Sequence, residues 1–248
     1  MCLCSGIMIE KLAHSGTSIY SALLKSIEAE KPLFAILFDP EELSETFLTQ
    51  QLSKLPEFTT HILVGGSTAT QAQTQVAVNL IKQKTSLPVL LFPGDYRQIT
   101  AAADGILFLS LLSGENPEYL IRQQIQSVGK LRASALEIIP TGYILIDGGK
   151  QTTVERVSQT QAIPQELVQR IVDTALAGEY SGKKLIYLEA GSGALNPVSE
   201  EIIQAVKDAI SIPLIVGGGI RSQLKLEAIY AAGADLVVVG TAFEQGNF

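Results

Sequence analysis

The fold is decided by PLIVGGGIRSQLKLEAIYAAGADLVVVGT, residues 213–241. This stretch opens on an unbroken apolar run and turns at three glycines. It then passes through a helical pattern over 223–232 that Ser222 begins, and ends on a second apolar run stopping at Gly240 and Thr241. Neither run alternates apolar with polar residues, so both strands are predicted to be covered on both faces, the mark of a parallel sheet. Parallel neighbours need a crossover, and the helix between the runs supplies it.

The same unit recurs along the chain. PLFAILFD (32–39), HILVGG (61–66), PVLLFPG (88–94), GILFLS (105–110), YILIDGG (143–149) and LIYLEAG (185–191) repeat the unbroken apolar run. Helical patterns lie at 68–84, at 117–128 behind Pro117, at 164–177 behind Pro164, and at 199–210, where Ser199 is placed as N-cap and Glu200 and Glu201 suit the positive helix end. Eight strands with intervening helices predict an α/β fold, a modified (β/α)8 TIM barrel, over the whole of residues 1–248 as one domain. Residues 95–103 are too short for a third crossover helix. Residues 149–162 read as polar and helix-poor, and an eighth helix is missing or very short. A helix over 17–30 is expected to cover or plug the barrel bottom, behind a flexible extension at 1–16.

Composition narrows the function. Hydrophobic residues make up 46% of the chain and charged residues 17%, a balance that excludes disorder. A net charge of −7 sets nucleic acid aside as a partner, because binding a phosphate backbone needs concentrated Lys and Arg. No apolar run approaches the roughly 20 residues of a membrane span. Cys2 and Cys4 form a C-x-C that fits either a metal pair or two reduced thiols. With no signal peptide visible, a reducing cytoplasm is expected. Met8 offers an alternative start.

In such a barrel the chemistry lies at the strand C-termini. The last two strands end in GGGIRS (217–222) and VGTAFE (239–244), where bare backbone N–H groups and helix starts make a phosphate cradle, or simply tight turns. The sixth ends in YLEAGSGA: Glu189 fits a general base, Tyr187 points the same way by alternation, Gly191 and Gly193 expose N–H groups, and Ser192 offers a hydroxyl. Glu189 as a partner for a nearby Arg or Lys is the plainer alternative. Asp39 in FDPEE (38–42) suits Mg²⁺ or a cap on a helix opened by Pro40, and Ser67 and Thr68 in VGGST suit an ion, a diphosphate or a helix cap. Phe92, Pro93 and Tyr96 line an apolar groove or pack an ordinary loop. Asp147 serves the site or a turn, and His14 and His61 lie away from the strand ends. Together these residues describe transfer of a group from a diphosphate to an alcohol.

YLEAGSGA, PLIVGGGIRS, VGGST, FDPEE and LFPG together resemble the geranylgeranylglyceryl phosphate synthase family, including its heptaprenylglyceryl phosphate relatives, over about residues 18–244. IIPTGYILIDGGK is similar to the branch with geranylgeranyl-type products. The resemblance implies a cytoplasmic prenyltransferase that moves a prenyl chain from its diphosphate to the C3 hydroxyl of sn-glycerol 1-phosphate with Mg²⁺. It implies Asp39 and Ser67 as Mg²⁺ positions, Tyr187, Leu188, Glu189, Ala190, Gly191, Ser192, Gly193, Gly218, Gly219, Gly240 and Thr241 around glycerol 1-phosphate, and Glu189 on its hydroxyl. The family's Asp-Pro-Asp-Lys is Asp-Pro-Glu-Glu here, which removes a lysine contact to diphosphate. A homo-oligomer, dimer or hexamer, and transient membrane contact are expected. Two other readings stay open on the residues alone. A sugar-phosphate isomerase needs a second acid facing Glu189, a role Asp39 can fill. A non-catalytic phosphate-binding barrel needs the cradle only.

Overall fold

Eight parallel strands close into a barrel in chain order, each paired with the next and the last with the first. They are β1 (Leu33–Phe38), β2 (His61–Val64), β3 (Val89–Leu91), β4 (Gly105–Leu111), β5 (Glu137–Leu145), β6 (Leu185–Glu189), β7 (Leu214–Gly217) and β8 (Leu236–Val239). Leu33 opposite Leu236 completes the ring. The structure, a computed structural model, describes residues 18–41, 44–246 and 248. Cys2, Cys4, Met8, His14, the extension at 1–16 and Glu42 lie outside the described residues.

The unbroken apolar runs are explained by two shells. Alternate positions of each strand, such as Leu33, Ala35, Leu185, Tyr187, Leu236 and Val238, fill the barrel interior. The positions between them, Phe34, Ile36, Ile186, Leu188 and Val237, pack under the helices. Each side chain leaves water whichever way it points, so the pattern carries no polar beat.

The helices are α1 (Ile19–Glu28), α2 (Glu45–Leu52), α3 (Gln71–Lys84), α4 (Gln123–Arg132), α5 (Thr153–Ser158), α6 (Val168–Tyr180), α7 (Glu200–Ala209), α8 (Gln223–Ala231) and α9 (Thr241–Glu244). Only a 3-10 turn, Tyr96–Gln98, follows β3, as the short connection predicts, and the eighth helix is the four residues of α9. A π turn, Glu118–Arg122, leads into α4. Ser199 and Ser222 cap α7 and α8 as expected.

Three expectations are corrected. Residues 149–162 are not helix-poor throughout: Thr152 and Glu155 form a capping box that starts α5. Pro164 does not open a helix, because α6 begins at Val168 after a turn. Pro40 does not open one either; α2 begins at Glu45, capped by Ser44.

Helix α1 plugs the barrel bottom. Leu23 is buried against the inner shell, with Ile19, Tyr20, Leu24 and Ile27 packed around it. The helix is pinned by Glu137 at the start of β5, whose carboxylate accepts from the Ser18 hydroxyl (2.8 Å) and from the N–H groups of Ile19 (2.5 Å) and Tyr20 (2.9 Å). A carboxylate there meets both the orphan donors and the positive end of the helix. Glu137→Ala should therefore cost about 1–2 kcal/mol in urea unfolding. An unchanged unfolding midpoint would mean that the plug is held by its apolar face alone.

Candidate active site

A cavity of about 540 Å³ opens at the C-terminal ends of the strands. Asp39, Ser67, Phe92, Pro93, Tyr96, Tyr187, Glu189, Gly191, Ser192, Gly193, Gly218, Gly219, Gly240 and Thr241 all line it, although they come from six different strand ends. Leu188 and Ala190 do not. Their side chains lie in the outer shell, and the Ala190 N–H donates to Gly217 O (3.0 Å). Within the strand the motif turns alternate side chains to the cavity, Tyr187 and Glu189, and past it Gly191, Ser192 and Gly193 follow in succession.

Glu189 sits at the bottom of the mouth, 7% exposed. Its Oε1 accepts the Gly191 N–H (2.7 Å), so that amide is spent on the carboxylate and is not free for a ligand. Burial pushes the carboxyl from 4.5 up to about 7, against the lowering effect of the Gly191 N–H and the Tyr187 hydroxyl. Among the described residues no Lys or Arg pairs with it, so Glu189 is not half of an ion pair there. Tyr187 does point the same way. Its buried hydroxyl lies beside the carboxylate without completing a well-formed hydrogen bond. Burial first, and Glu189's charge second, hold that phenol well above its ordinary range. Its ring stacks on Phe92 (5.2 Å between centroids) and meets Tyr143 edge-on (5.5 Å), so an aromatic trio fixes the floor.

Gly217 and Gly218 make this approach feasible. A Cβ on Gly217 would lie 2.5 Å from the Tyr187 hydroxyl and 2.8 Å from Glu189 Oε2; one on Gly218, at φ +87°, would lie 2.4 Å from Oε1. Above them the N–H groups of Ser192, Gly193, Gly218, Gly219 and Thr241 donate to nothing among the described residues. Ser192 Oγ meets Thr241 Oγ1 at 2.8 Å, tying the sixth loop to the eighth. Arg221 Nη2 donates to Ala194 O (2.6 Å), tying the sixth to the seventh. Unspent amides on three linked loops, one of them at the start of a short helix, form a concave anion site.

Across the mouth, the Asp39 carboxylate occupies the space a Gly66 side chain would take, 2.3 Å from its ideal Cβ, which sets it beside Ser67. Its Oδ1 accepts the Glu41 N–H (3.0 Å), closing a turn rather than capping a helix. Thr70 caps α3, so neither Ser67 nor Thr68 does; the Thr68 hydroxyl donates to Glu41 (2.5 Å). Where the third helix is missing, Ile99, Ile106 and Phe108 line the cavity alongside Pro93 and Tyr96, which makes one flank apolar. Asp147 accepts the Gly149 N–H (2.8 Å) and does not line the cavity, so it belongs to a turn. His61 is buried in β2, away from the mouth.

Sequence reading missed Tyr143 and Lys150. Tyr143 occupies an inward position of β5, and alternation along YILID was the signal for it. Lys150 lies beyond a strand end, yet its Nζ comes within 3.0 Å of where a Gly193 side chain would stand, so a cation borders the anion cradle. Only the folding of the fifth loop onto the sixth brings it there.

Known proteins bear on the same geometry. The profile of the PcrB family matches residues 25–247. The chain is 59% identical over 230 residues to a geranylgeranylglyceryl phosphate synthase of Zunongwangia profunda, covering 93% of this chain and 98% of that one. It is 40% identical over 225 residues to the geranylgeranylglyceryl phosphate synthase of Thermococcus kodakarensis, covering 90% and 88%. The crystal structure of (S)-3-O-geranylgeranylglyceryl phosphate synthase from Thermoplasma acidophilum, in complex with its substrate sn-glycerol-1-phosphate, superposes with a TM-score of 0.87 at 34% identity, covering 93% of each chain. A tryptophan synthase α-subunit from Pyrococcus furiosus, at 14% identity and a TM-score of 0.54, shares the barrel alone.

Burial of Glu189 has a price in stability. The folded chain binds this proton more tightly than the unfolded chain does. The advantage is complete below about pH 4.5 and is lost as pH rises through about 7, leaving a cost of roughly 3 kcal/mol above that. The stability of Glu189→Gln relative to wild type should therefore rise, by up to roughly 3 kcal/mol, between about pH 4.5 and 8. A gap that stays flat across that range would mean the carboxyl titrates normally.

Proposed function

The chain belongs to the PcrB family, and from that premise we propose how its cavity works. It is a prenyltransferase that moves a prenyl group, here read as geranylgeranyl, from its diphosphate to the C3 hydroxyl of sn-glycerol 1-phosphate, giving an ether-lipid precursor. The observation that carries this reading is Glu189: a buried carboxylate with no cationic partner among the described residues, flanked by an anion cradle on one side and an apolar flank on the other.

The glycerol phosphate group is held by the free N–H groups of Gly193, Gly218, Gly219 and Thr241 and by the Ser192 hydroxyl, with Gly240 giving the backbone room. That pose sets its far hydroxyl over Glu189 and Tyr187. The Tyr187 phenol, buried without a completed bond, takes the glycerol hydroxyl as its missing partner and orients it. Ionised Glu189, its carboxyl near 7, accepts the hydroxyl proton as the new carbon–oxygen bond forms. The bond between the allylic carbon and the diphosphate oxygen breaks, and diphosphate leaves with the bonding pair. The prenyl tail lies along the flank of Phe92, Pro93 and Tyr96.

The residues at the far side fit Mg²⁺. The absence of a side chain at Gly66 lets the Asp39 carboxylate lie beside Ser67, and Mg²⁺ is satisfied by few protein oxygens plus water and phosphate. Among the described residues no cluster of three His, Cys, Asp or Glu forms a closed metal cage, so the diphosphate itself would complete the shell. When bound, the ion neutralises charge on the leaving group. Asp-Pro-Glu-Glu supplies no lysine there.

The isomerase alternative needs an acid facing Glu189, whereas the groups that act on its carboxyl are the Gly191 N–H and the Tyr187 hydroxyl. A cytoplasmic setting belongs to this proposal; no described helix is long and apolar enough to cross a membrane.

Purified protein incubated with labelled sn-glycerol 1-phosphate, Mg²⁺ and prenyl diphosphates of increasing length should yield extractable labelled lipid, best with the geranylgeranyl donor. Glu189→Gln should lower turnover by about 10²-fold or more with little change in glycerol phosphate affinity. Folded protein that binds glycerol phosphate but makes no lipid with any donor would point to a binding barrel, and an unchanged kcat in Glu189→Gln would remove this residue from the reaction.

A further inference from the structure

The 3-10 turn that stands in for the third helix is anchored on every side. Asp95 caps it by accepting the Arg97 N–H (2.7 Å). The Tyr96 N–H donates to Gln123 Oε1 (2.9 Å) at the start of α4, and Lys130 of the same helix donates to Arg97 O (3.1 Å). On the other side the Thr100 hydroxyl donates to Gln75 of α3. Gln98 ends the turn; it is 2% exposed and does not line the cavity.

Both ends of the Gln98 amide are spent on main chain, and on two different loops. Its Nε2 donates to Gly66 O (3.0 Å) in the loop after β2, and its Oε1 accepts the Gly94 N–H (2.9 Å) in the loop after β3. These two loops touch where they lack side chains. A Cβ on Gly65 would lie 1.8 Å from Phe92 O, and one on Gly94 would lie 2.9 Å from Gly66 O and 3.0 Å from Ser67 Cα. Glycine permits the contact and Gln98 fastens it. Apolar packing could close a turn, but a buried amide bonded at both ends also fixes direction and distance.

We propose that Gln98 is the positioning residue for the donor half of the site. It holds the loop that carries Ser67 and, through Gly66, the seat of Asp39 against the loop that carries Phe92 and Pro93. The first loop would hold diphosphate and its Mg²⁺, and the second the start of the prenyl chain. The clamp therefore sets where the bond that breaks lies between them. A displacement of about 1 Å is enough to slow a transfer that depends on aligned atoms. Gln98 touches neither substrate and acts through Gly66 and Gly94. The inference rests on the prenyl-transfer reading above. It gives Gln98 no share in the glycerol phosphate cradle, because its bonds go to the second and third loops and the cradle is built from the sixth, seventh and eighth.

Calorimetry on the full chain separates the two halves. One probe is inorganic diphosphate with Mg²⁺ at saturating sn-glycerol 1-phosphate; the other is sn-glycerol 1-phosphate alone. Gln98→Met keeps the length of the side chain and removes both bonds. It should weaken Mg²⁺-dependent diphosphate binding about tenfold or more and leave the glycerol phosphate Kd within about twofold of wild type. In steady state the KM for the prenyl diphosphate should rise and kcat fall, with the KM for glycerol phosphate unchanged. Gln98→Glu keeps the shape and the bond from Gly94, but once ionised it cannot donate to Gly66 O. Its defect should be present at about pH 8 and should shrink, relative to wild type at the same pH, as acidification restores the donor. Folded variants that bind both ligands as wild type does, or that lose both equally, overturn the inference. A wild type that binds glycerol phosphate but no Mg²⁺–diphosphate overturns it together with the reading of the far rim.

Discussion

The structure turns on holding one carboxylate out of water with no counter-charge among the described residues. A buried ion pair would quench Glu189 as a base, and full exposure would return it to the ordinary acid range. The barrel solves this by placing Glu189 on the last inward position of β6, where Tyr187, Tyr143 and Phe92 close the floor below it. The Gly191 N–H steadies one oxygen, which keeps the carboxyl near 7 rather than higher. Two of the surrounding glycines follow from the same need for space: side chains on Gly217 or Gly218 would occupy the carboxylate's own position.

The rest of the mouth is arranged around that group by loop-to-loop contacts. The link from Ser192 to Thr241 and the Arg221 contacts to Gly193 O and Ala194 O draw three loops into one concave surface of unspent amides. Loss of the third crossover helix opens the apolar flank, while Gly66 admits Asp39 on the opposite rim. A cradle for a phosphate, a carboxylate near neutrality and a dry flank are the three environments that a hydroxyl-directed prenyl transfer requires.

Much of this was legible in the chain because strands covered on both faces have no polar beat, and LIYLE or LVVV cannot be mistaken for amphipathic helix. The poor third crossover was legible from the few residues between Gly94 and Asp104. Helix α5 was not, because six residues give no measurable period; only the Thr152–Glu155 capping box announced it. Glu189, Tyr187 and the two glycine loops could be read because strand ends define the mouth. Leu188 and Ala190 were swept in with their motif, although alternation puts Leu188 under the helices. That the Gly191 amide serves Glu189, and that Lys150 reaches Gly193, depends on how loops fold onto one another, which no local pattern encodes.

The central claim is that Glu189 is half protonated near neutrality in the folded chain. Infrared difference spectra of wild type against Glu189→Gln, recorded across pH, isolate the carbonyl stretch of the protonated acid. The account predicts that this band disappears with a midpoint of about 7. A midpoint near 4.5, the value of an ordinary exposed glutamate, would contradict it and leave the carboxylate too weak a base for the role assigned to it.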